Sequence, residues 1–408
     1  MPRSKRNRTL PAAALSSGVV LAGFAATPLS AADWEISPRV QAGGLYDTNY
    51  RLAPEEAEIE VSGALADVQL EFKRATPVTE FTFTPRARAT YFPDDKEENS
   101  EDYFVMLDAL RRGQRYEAAL RIDLADEDVV SSEQPGTDID GGLGEPGVGE
   151  GGLAIVRNRR QLISVVPTLS HEVTQRHSLL YDLRYIDVTF DDRIPGLQVP
   201  YIDGSAGFGW QWAATERSTL TTRLRGARYD IDDSPERSDA YSLEFEWGAE
   251  ATETMQSFLR VGAQNTDIVQ ASGGRNDEVS WIAGAGLRWT GGLSVFFTDL
   301  TRTVNPSSSG TIVERDQLRL RLDRAITPRF SFYTGVRGIQ DRAVDRTSGY
   351  QGREYAIGEL GARWRVLQTL AVIFSVDYAW QEFRAAPEED ATSSRAMITF
   401  LYEPRRRD

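Results

Sequence analysis

The sequence predicts an all-β fold, an antiparallel transmembrane β-barrel of about eighteen strands. Three observations predict it. Segments along the whole chain alternate apolar and polar residues with period two, the mark of strands with two unlike faces. Aromatic residues stand at the ends of the apolar faces, where the girdles of a membrane's two interfaces would fall. Connections alternate between short and long, as turns on one rim and loops on the other would. Alternation alone also suits a soluble sandwich. The charged rather than merely polar second face, together with the other two features, favours the barrel.

Composition narrows the class. The 408 residues are 40% hydrophobic and 10% aromatic. Beyond the first thirty residues there is no run of about 18 apolar residues, so no helix would span a bilayer. A closed barrel is the other spanning solution, because it satisfies every backbone N–H and C=O between strands. The absence of cysteine excludes disulfides and thiol chemistry. A formal charge of -15 is wrong for a general nucleic-acid binder. Of the 46 basic residues only Lys5, Lys73 and Lys96 are lysine. That bias suits either a GC-rich genome or an arginine-lined interior.

Residues 1–32 read as a secretory signal. A basic head, with Arg3, Lys5, Arg6 and Arg8, precedes the uncharged stretch LPAAALSSGVVLAGFAA. Ser30-Ala31-Ala32 supplies the small residues that signal peptidase needs, so cleavage is expected after Ala32. Residues 33–408 then form the barrel.

The strands justify themselves in chain order. At 116–124, Tyr116, Ala118, Leu120, Ile122 and Leu124 oppose Glu117, Arg121 and Asp123. At 241–249, Tyr241, Leu243, Phe245, Trp247 and Ala249 oppose Ser242, Glu244, Glu246 and Gly248. At 281–289, Trp281 and Trp289 close both ends of a face holding Ala283, Ala285 and Leu287. At 370–380, Leu370, Val372, Phe374, Val376, Tyr378 and Trp380 oppose Ser375, Asp377 and Ala379. Ala396, Ile398, Phe400 and Tyr402 finish the series. The girdle candidates are Trp247, Trp281, Trp289, Tyr378, Trp380 and Tyr402.

Short turns fall near 74–77, 111–114, 174–178, 213–217, 250–254, 290–292, 326–329 and 366–369. Long connections fall near 47–59, 93–101, 126–157, 191–202, 231–237, 268–278, 304–312, 341–352 and 385–393. Eight turns and nine loops give eighteen strands. The faces at 161–171, 255–265 and 293–299 are blurred, which leaves sixteen as the alternative count. An even count puts both termini on one rim. With the short turns that rim is expected in the periplasm, and the long loops outside. Eighteen strands about 4.8 Å apart at about 40° tilt enclose roughly 35 Å, too wide for wall side chains to fill.

The longest loop, 126–157, holds PGTDIDGGLGEPGVGEGG and the acids Asp126, Glu127, Asp128, Glu133, Asp138, Asp140, Glu145 and Glu150. Glycine and acid at this density predict a solvated loop. A lumen plug and a Ca²⁺ site are the alternatives, since hard cations want several carboxylates. Acidic loops elsewhere, such as Glu55, Glu56 and Glu58, could share cations with lipopolysaccharide.

The start of the mature chain, WEISPRVQAGGLYDTNYRL, carries a first strand ending in Tyr46-Asp47-Thr48-Asn49. It resembles the opening of a family of proteobacterial outer-membrane barrel porins, members of which are encoded in exopolysaccharide operons. The resemblance implies a barrel of this size, placed in the outer membrane by the barrel-assembly machinery. For some members it implies a link to polysaccharide export components. The chain departs from barrel habit at its end, where EPRRRD follows Phe400 and Tyr402.

The strongest constellation is a set of arginines on the inward register: Arg86, Arg88, Arg121, Arg184, Arg223, Arg225, Arg288, Arg319, Arg321, Arg337, Arg363 and Arg365. Arginine is permanently charged and offers a planar fork to carboxylate, sulfate or phosphate. Such a lining could guide an acidic polymer. Glu71, Glu117, Asp123, Asp182, Glu244, Glu246, Asp323 and Asp377 share that register, so cross-strand pairing is the structural alternative. An enzyme is not expected. The two histidines, His171 and His177, neighbour Ser170 and Ser178, but adjacent strand residues face opposite ways. No cofactor and no metal are called for. A passive pore for acidic exopolysaccharide is the leading expectation, with a general diffusion porin or a plugged scaffold barrel as alternatives.

Overall fold

The computed structural model describes residues 34–404 except 135, 138–155, 195–196, 233, 271–273, 346–349, 351 and 384–388. The expected signal segment and the acids Asp138, Asp140, Glu145 and Glu150 lie outside the described residues. Strands β1 (Glu35–Asp47), β2 (Val61–Ala75), β3 (Thr79–Tyr91), β4 (Ser100–Arg112), β5 (Tyr116–Asp128) and β6 (Arg159–Thr174) begin the wall. Next come β7 (His177–Phe190), β8 (Tyr201–Thr215), β9 (Ser218–Ile231), β10 (Arg237–Thr252), β11 (Met255–Val269) and β12 (Arg275–Thr290). It ends with β13 (Ser294–Pro306), β14 (Ile312–Thr327), β15 (Phe330–Ala343), β16 (Arg353–Arg365), β17 (Leu370–Phe383) and β18 (Glu389–Tyr402). Each strand pairs antiparallel with its neighbours in sequence, and β1 pairs with β18. The sheet therefore closes on itself as an 18-stranded barrel. The segments whose faces blur in sequence are β6, β11 and β13, so the count of sixteen falls away.

Both termini and the short turns share one rim, and the long connections share the other. Period-two sequence becomes two walls. Tyr241, Leu243, Phe245 and Trp247 of β10 are exposed on the outside, while Ser242 is buried on the inside. Aromatics form two outer belts. Trp210, Trp247, Trp289, Trp364 and Tyr402 ring the short-turn side, and Tyr91, Tyr103, Tyr241, Trp281 and Tyr378 ring the other. Trp380, next beyond Tyr378 on the same face, is only half-exposed. Trp281 and Trp289 are eight residues apart on β12, roughly 20 Å along the axis at about 40° tilt. That approaches the apolar band of an outer membrane, about 25 Å tall. The barrel sits in an outer membrane.

The apolar core is inside the barrel at the long-loop rim, built by connections that fold inward. Val129 and Val130 of a short helix α1 (Val129–Glu133) pack with Tyr50, Phe92, Ile186, Val188, Val199, Tyr201 and Tyr229. Leu52 packs against Ile339, Tyr355, Ile357, Ala379 and Ala391. Leu52 has φ of 51°, a left-handed backbone unusual for leucine. Its N–H bonds to the Asn49 carbonyl at 3.0 Å, and its buried side chain holds the conformation.

The reading of 126–157 as a solvated loop is corrected in part. Residues 126–128 continue β5, 129–134 turn into the lumen, and Gly136 and Thr137 reach the far wall. The physical reason is local. The Asp128 carboxylate accepts the Val130 N–H at 2.9 Å and starts the helix, which buries two valines that a solvated loop would expose.

Tyr46-Asp47-Thr48-Asn49 is a clasp on the barrel seam. The Ser393 hydroxyl donates to Asp47 at 2.6 Å, and the Asn49 amide donates to the Thr392 carbonyl at 3.1 Å. Thr48 N–H bonds Ser394 O at 3.1 Å, and Ser394 N–H bonds Thr48 Oγ1 at 2.9 Å. Asn49 also bridges Ala53 through both its amide nitrogen and oxygen.

Candidate lumen site

The twelve nominated arginines all fall on the register opposite the exposed apolar residues. They do not form one row. Arg121, Arg184, Arg223, Arg225, Arg319 and Arg337 line one cavity of about 750 Å³, together with Arg260 of β11. Arg86 and Arg88 stand across the barrel on β3, ion-paired to Asp67 at 2.6 Å and Asp102 at 2.8 Å. Arg288, Arg363 and Arg365 lie toward the short-turn end of their strands, and Arg363 reaches Glu403 at 2.9 Å.

In the cavity, cross-strand pairing is the rule. Arg225 contacts Asp182 at 2.8 Å, and Arg223 lies 3.7 Å from the same carboxylate. Asp182 is on β7 and Arg225 on β9, so this pair spans the intervening β8. Gly207 makes the span feasible. It is the Cα partner of both residues, and a Cβ there would fall on the Asp182 carboxylate. Arg121 pairs along its own strand with Asp123 at 3.0 Å, and Arg184 sits 3.9 Å from Asp203. Outside the cavity, Arg321 pairs along its own strand with Asp323 at 3.0 Å and lies 4.8 Å from the Tyr333 ring centroid. Arg319 donates through Nε to Asp299 at 2.9 Å, and both are buried. Removing one partner of such a pair costs about 3–5 kcal/mol, because the other stays buried and charged.

The inward segment borders this cavity and ties to the wall opposite its own strand. Gly136 O accepts from Arg337 at 3.3 Å, and Thr137 donates to the Glu359 carboxylate. Higher up, Glu133 O accepts from Arg353, which is 0% exposed, at 3.2 Å. The segment thus leaves β5 and ends on β16 and β15, seven and eight strands away around the barrel by way of the seam. Gly335 provides its berth, since a Cβ there would stand 2.6 Å from Thr137 Cβ. Beside it, burial pushes the Tyr50 phenol up to about 12, with the Asp128 charge adding to the shift.

Sequence reading missed several inward arginines. Arg260 sits on β11, where Phe258 also points inward and blurs the pattern. Arg315, Arg353 and Arg395, near the long-loop ends of β14, β16 and β18, were also left out. Arg315 pairs with Asp341 at 2.7 Å and Arg395 with Asp377 at 3.1 Å. The histidines are on the outside, where His177 stacks on Trp210 at 5.5 Å. Among the described residues no group of three or more acids and histidines is placed to hold a metal ion.

Fold and interior define a class: an outer-membrane β-barrel channel with a charged lumen, narrowed from the loop side by its own connections. No protein-family model matches the chain, and no curated protein matches its sequence. Solved structures do resemble it. Pseudomonas aeruginosa OccK2 (OpdF), in a complex with glucuronate, is 12% identical over 91% of this chain and 99% of that chain, with a TM-score of 0.47. OccK1 (OpdK) from the same organism is 10% identical over 91% and 99%, with a TM-score of 0.46. Acinetobacter baumannii OccAB3 is 10% identical over 91% and 100%, with a TM-score of 0.45. At such values no role passes from them to this chain.

Proposed function

We propose that the chain is a passive pore for acidic saccharides. One observation carries the reading: seven arginines and four carboxylates line the lumen cavity, an excess of arginine in a chain whose formal net charge is -15. A guanidinium whose carboxylate partner can be exchanged for a solute carboxylate gives a graded path rather than a trap. Export of an acidic exopolysaccharide, working with periplasmic export components, is the specific form that the resemblance at Tyr46–Asn49 implies. Passage of a polymer requires Glu133, Gly136 and Thr137 to withdraw from β15–β16.

A second reading has its own observation. The apolar packing of the long-loop mouth favours a closed scaffold barrel in lipopolysaccharide. Conductance of the refolded protein in a planar bilayer separates the readings. Steps blocked by oligo-uronates support the pore for acidic saccharides. Steps without block favour a general diffusion porin, and silence from a folded barrel favours the scaffold. Arg223→Glu with Arg225→Glu should turn the reversal potential toward cations. Unchanged selectivity would remove these two residues from the conducting path.

A further inference from the structure

The ladder between β12 and β13 is cut short. It runs from Thr290–Val295 to Ala283–Arg302 and stops. Neither strand stops there. β12 stays paired with β11 up to Arg275, and β13 stays paired with β14 up to Pro306. The β1–β18 ladder is equally brief, but there β18 simply ends at Tyr402. Between Arg275–Ile282 and Thr303–Pro306, two neighbouring strands run on without pairing to each other.

β13 ends in a proline. Pro306 has no N–H to give, and prolines belong at strand edges. The connection after it is drawn into the lumen. Ser308 O accepts from Val199 N–H at 2.8 Å, and Ser307 O accepts from the Tyr229 hydroxyl at 3.2 Å. Leu300 of β13 is exposed on the outer face, and by alternation Val304 belongs there too. Val304 nevertheless borders the lumen cavity, along with Thr303, Asn305, Pro306 and, from β12, Ile282. The cavity therefore extends to the stretch of β13 that is unpaired with β12. On the outer side of the same slot stand Val279, 75% exposed, and Trp281, 55% exposed. Its lower edge is fixed by the Arg302 guanidinium, 4.0 Å over the Trp281 ring and ion-paired to Asp316. Its upper edge is fixed by Asp345, which accepts from Gln270 at 2.8 Å and Asn276 at 3.3 Å.

We propose that this slot is a lateral passage between the lumen cavity and the membrane interface, and that it takes a single-chain amphiphile with an anionic head. Trp281 sets its height at the interface on the long-loop side. An amphiphile there presents its head to the arginine-rich cavity and keeps its tail on Val279, Trp281, Ile282 and Val304. This goes beyond the saccharide reading and does not depend on it: the slot is a property of the wall.

The chain has no cysteine, so a single Val304→Cys substitution gives a unique probe. The test uses the folded barrel in phosphatidylcholine liposomes and a membrane-impermeant, cationic methanethiosulfonate. Val304→Cys should react at a rate close to that of the lumen control Thr303→Cys, whereas Leu300→Cys, lower on the same face, stays protected. Laurate should slow the Val304→Cys reaction about tenfold when present at about ten times its Kd, and dodecanol should not. Protection of Val304→Cys equal to that of Leu300→Cys would overturn the slot. Equal effects of laurate and dodecanol, or none from either, would overturn the anionic-head assignment. A second variant guards against misfolding of the first. Continuing the ladder register would set Ser280 opposite Asn305, so fast spontaneous crosslinking of Ser280→Cys with Asn305→Cys would also overturn the slot. Slow crosslinking supports it.

Discussion

At the scale of single residues, the interior is governed by where a side chain is missing. Gly207 lets Asp182 cross a strand and hold Arg225. Gly207→Ala should push the Asp182 carboxylate aside and release both Arg223 and Arg225 to the lumen. One uncovered charge at contact distance in a water-filled lumen is worth about 0.5–1 kcal/mol, so anion-over-cation permeability should rise roughly twofold to fivefold. Reversal potentials under a salt gradient would read this, and a fall in anion preference would contradict the assignment. The inward face of β9 was legible in sequence, because a one-residue slip would flip every side chain of the strand. The Asp182 partnership was not. It joins residues two strands apart, and alternation along a strand carries no information about reach across a glycine.

At the scale of elements, the inward residues 129–134, with Gly136 and Thr137, cross the lumen to the far wall. They are held at Arg353, Arg337, Glu359 and the vacant side of Gly335. Gly335→Val should unseat Thr137 and raise single-channel conductance, with the barrel still folded by its heat-modifiable mobility. Unchanged conductance would mean that the segment does not set the narrowest point. Sequence reading took this stretch as solvated because glycine and acid dominate 126–157, and two adjacent valines are too short a signal to outweigh them. The wall elements were legible for a different reason. Most strands repeat one pattern along their 13 to 16 residues, and a wrong face would place charge in lipid. β13 blurs because Phe297 joins Asp299 on the inside while Phe296 stays on the outside.

At the scale of the whole molecule, the clasp at Asp47–Asn49 gives the resemblance in the sequence a structural meaning. Asn49→Ala removes the side-chain bonds to Ala53 and Thr392 and leaves buried backbone groups unsatisfied, at about 1–3 kcal/mol for each group. The temperature at which the compact electrophoretic form is lost should fall, while conductance stays as in the parent barrel. No change in that temperature would show that the seam does not depend on the clasp. The same seam also imposes an order in time. Every other strand pairing joins sequence neighbours, so hairpins can form as soon as both arms exist and closing them costs little chain entropy. The pairing of Val40 with Tyr402 has to wait for the last strand to be made. Until then the protein is an open ribbon with two bare edges, each a template for unwanted pairing. A message cut short before Glu389 would thus yield no narrower pore. It would yield a sheet that cannot finish, and the cell would have to shield it or degrade it.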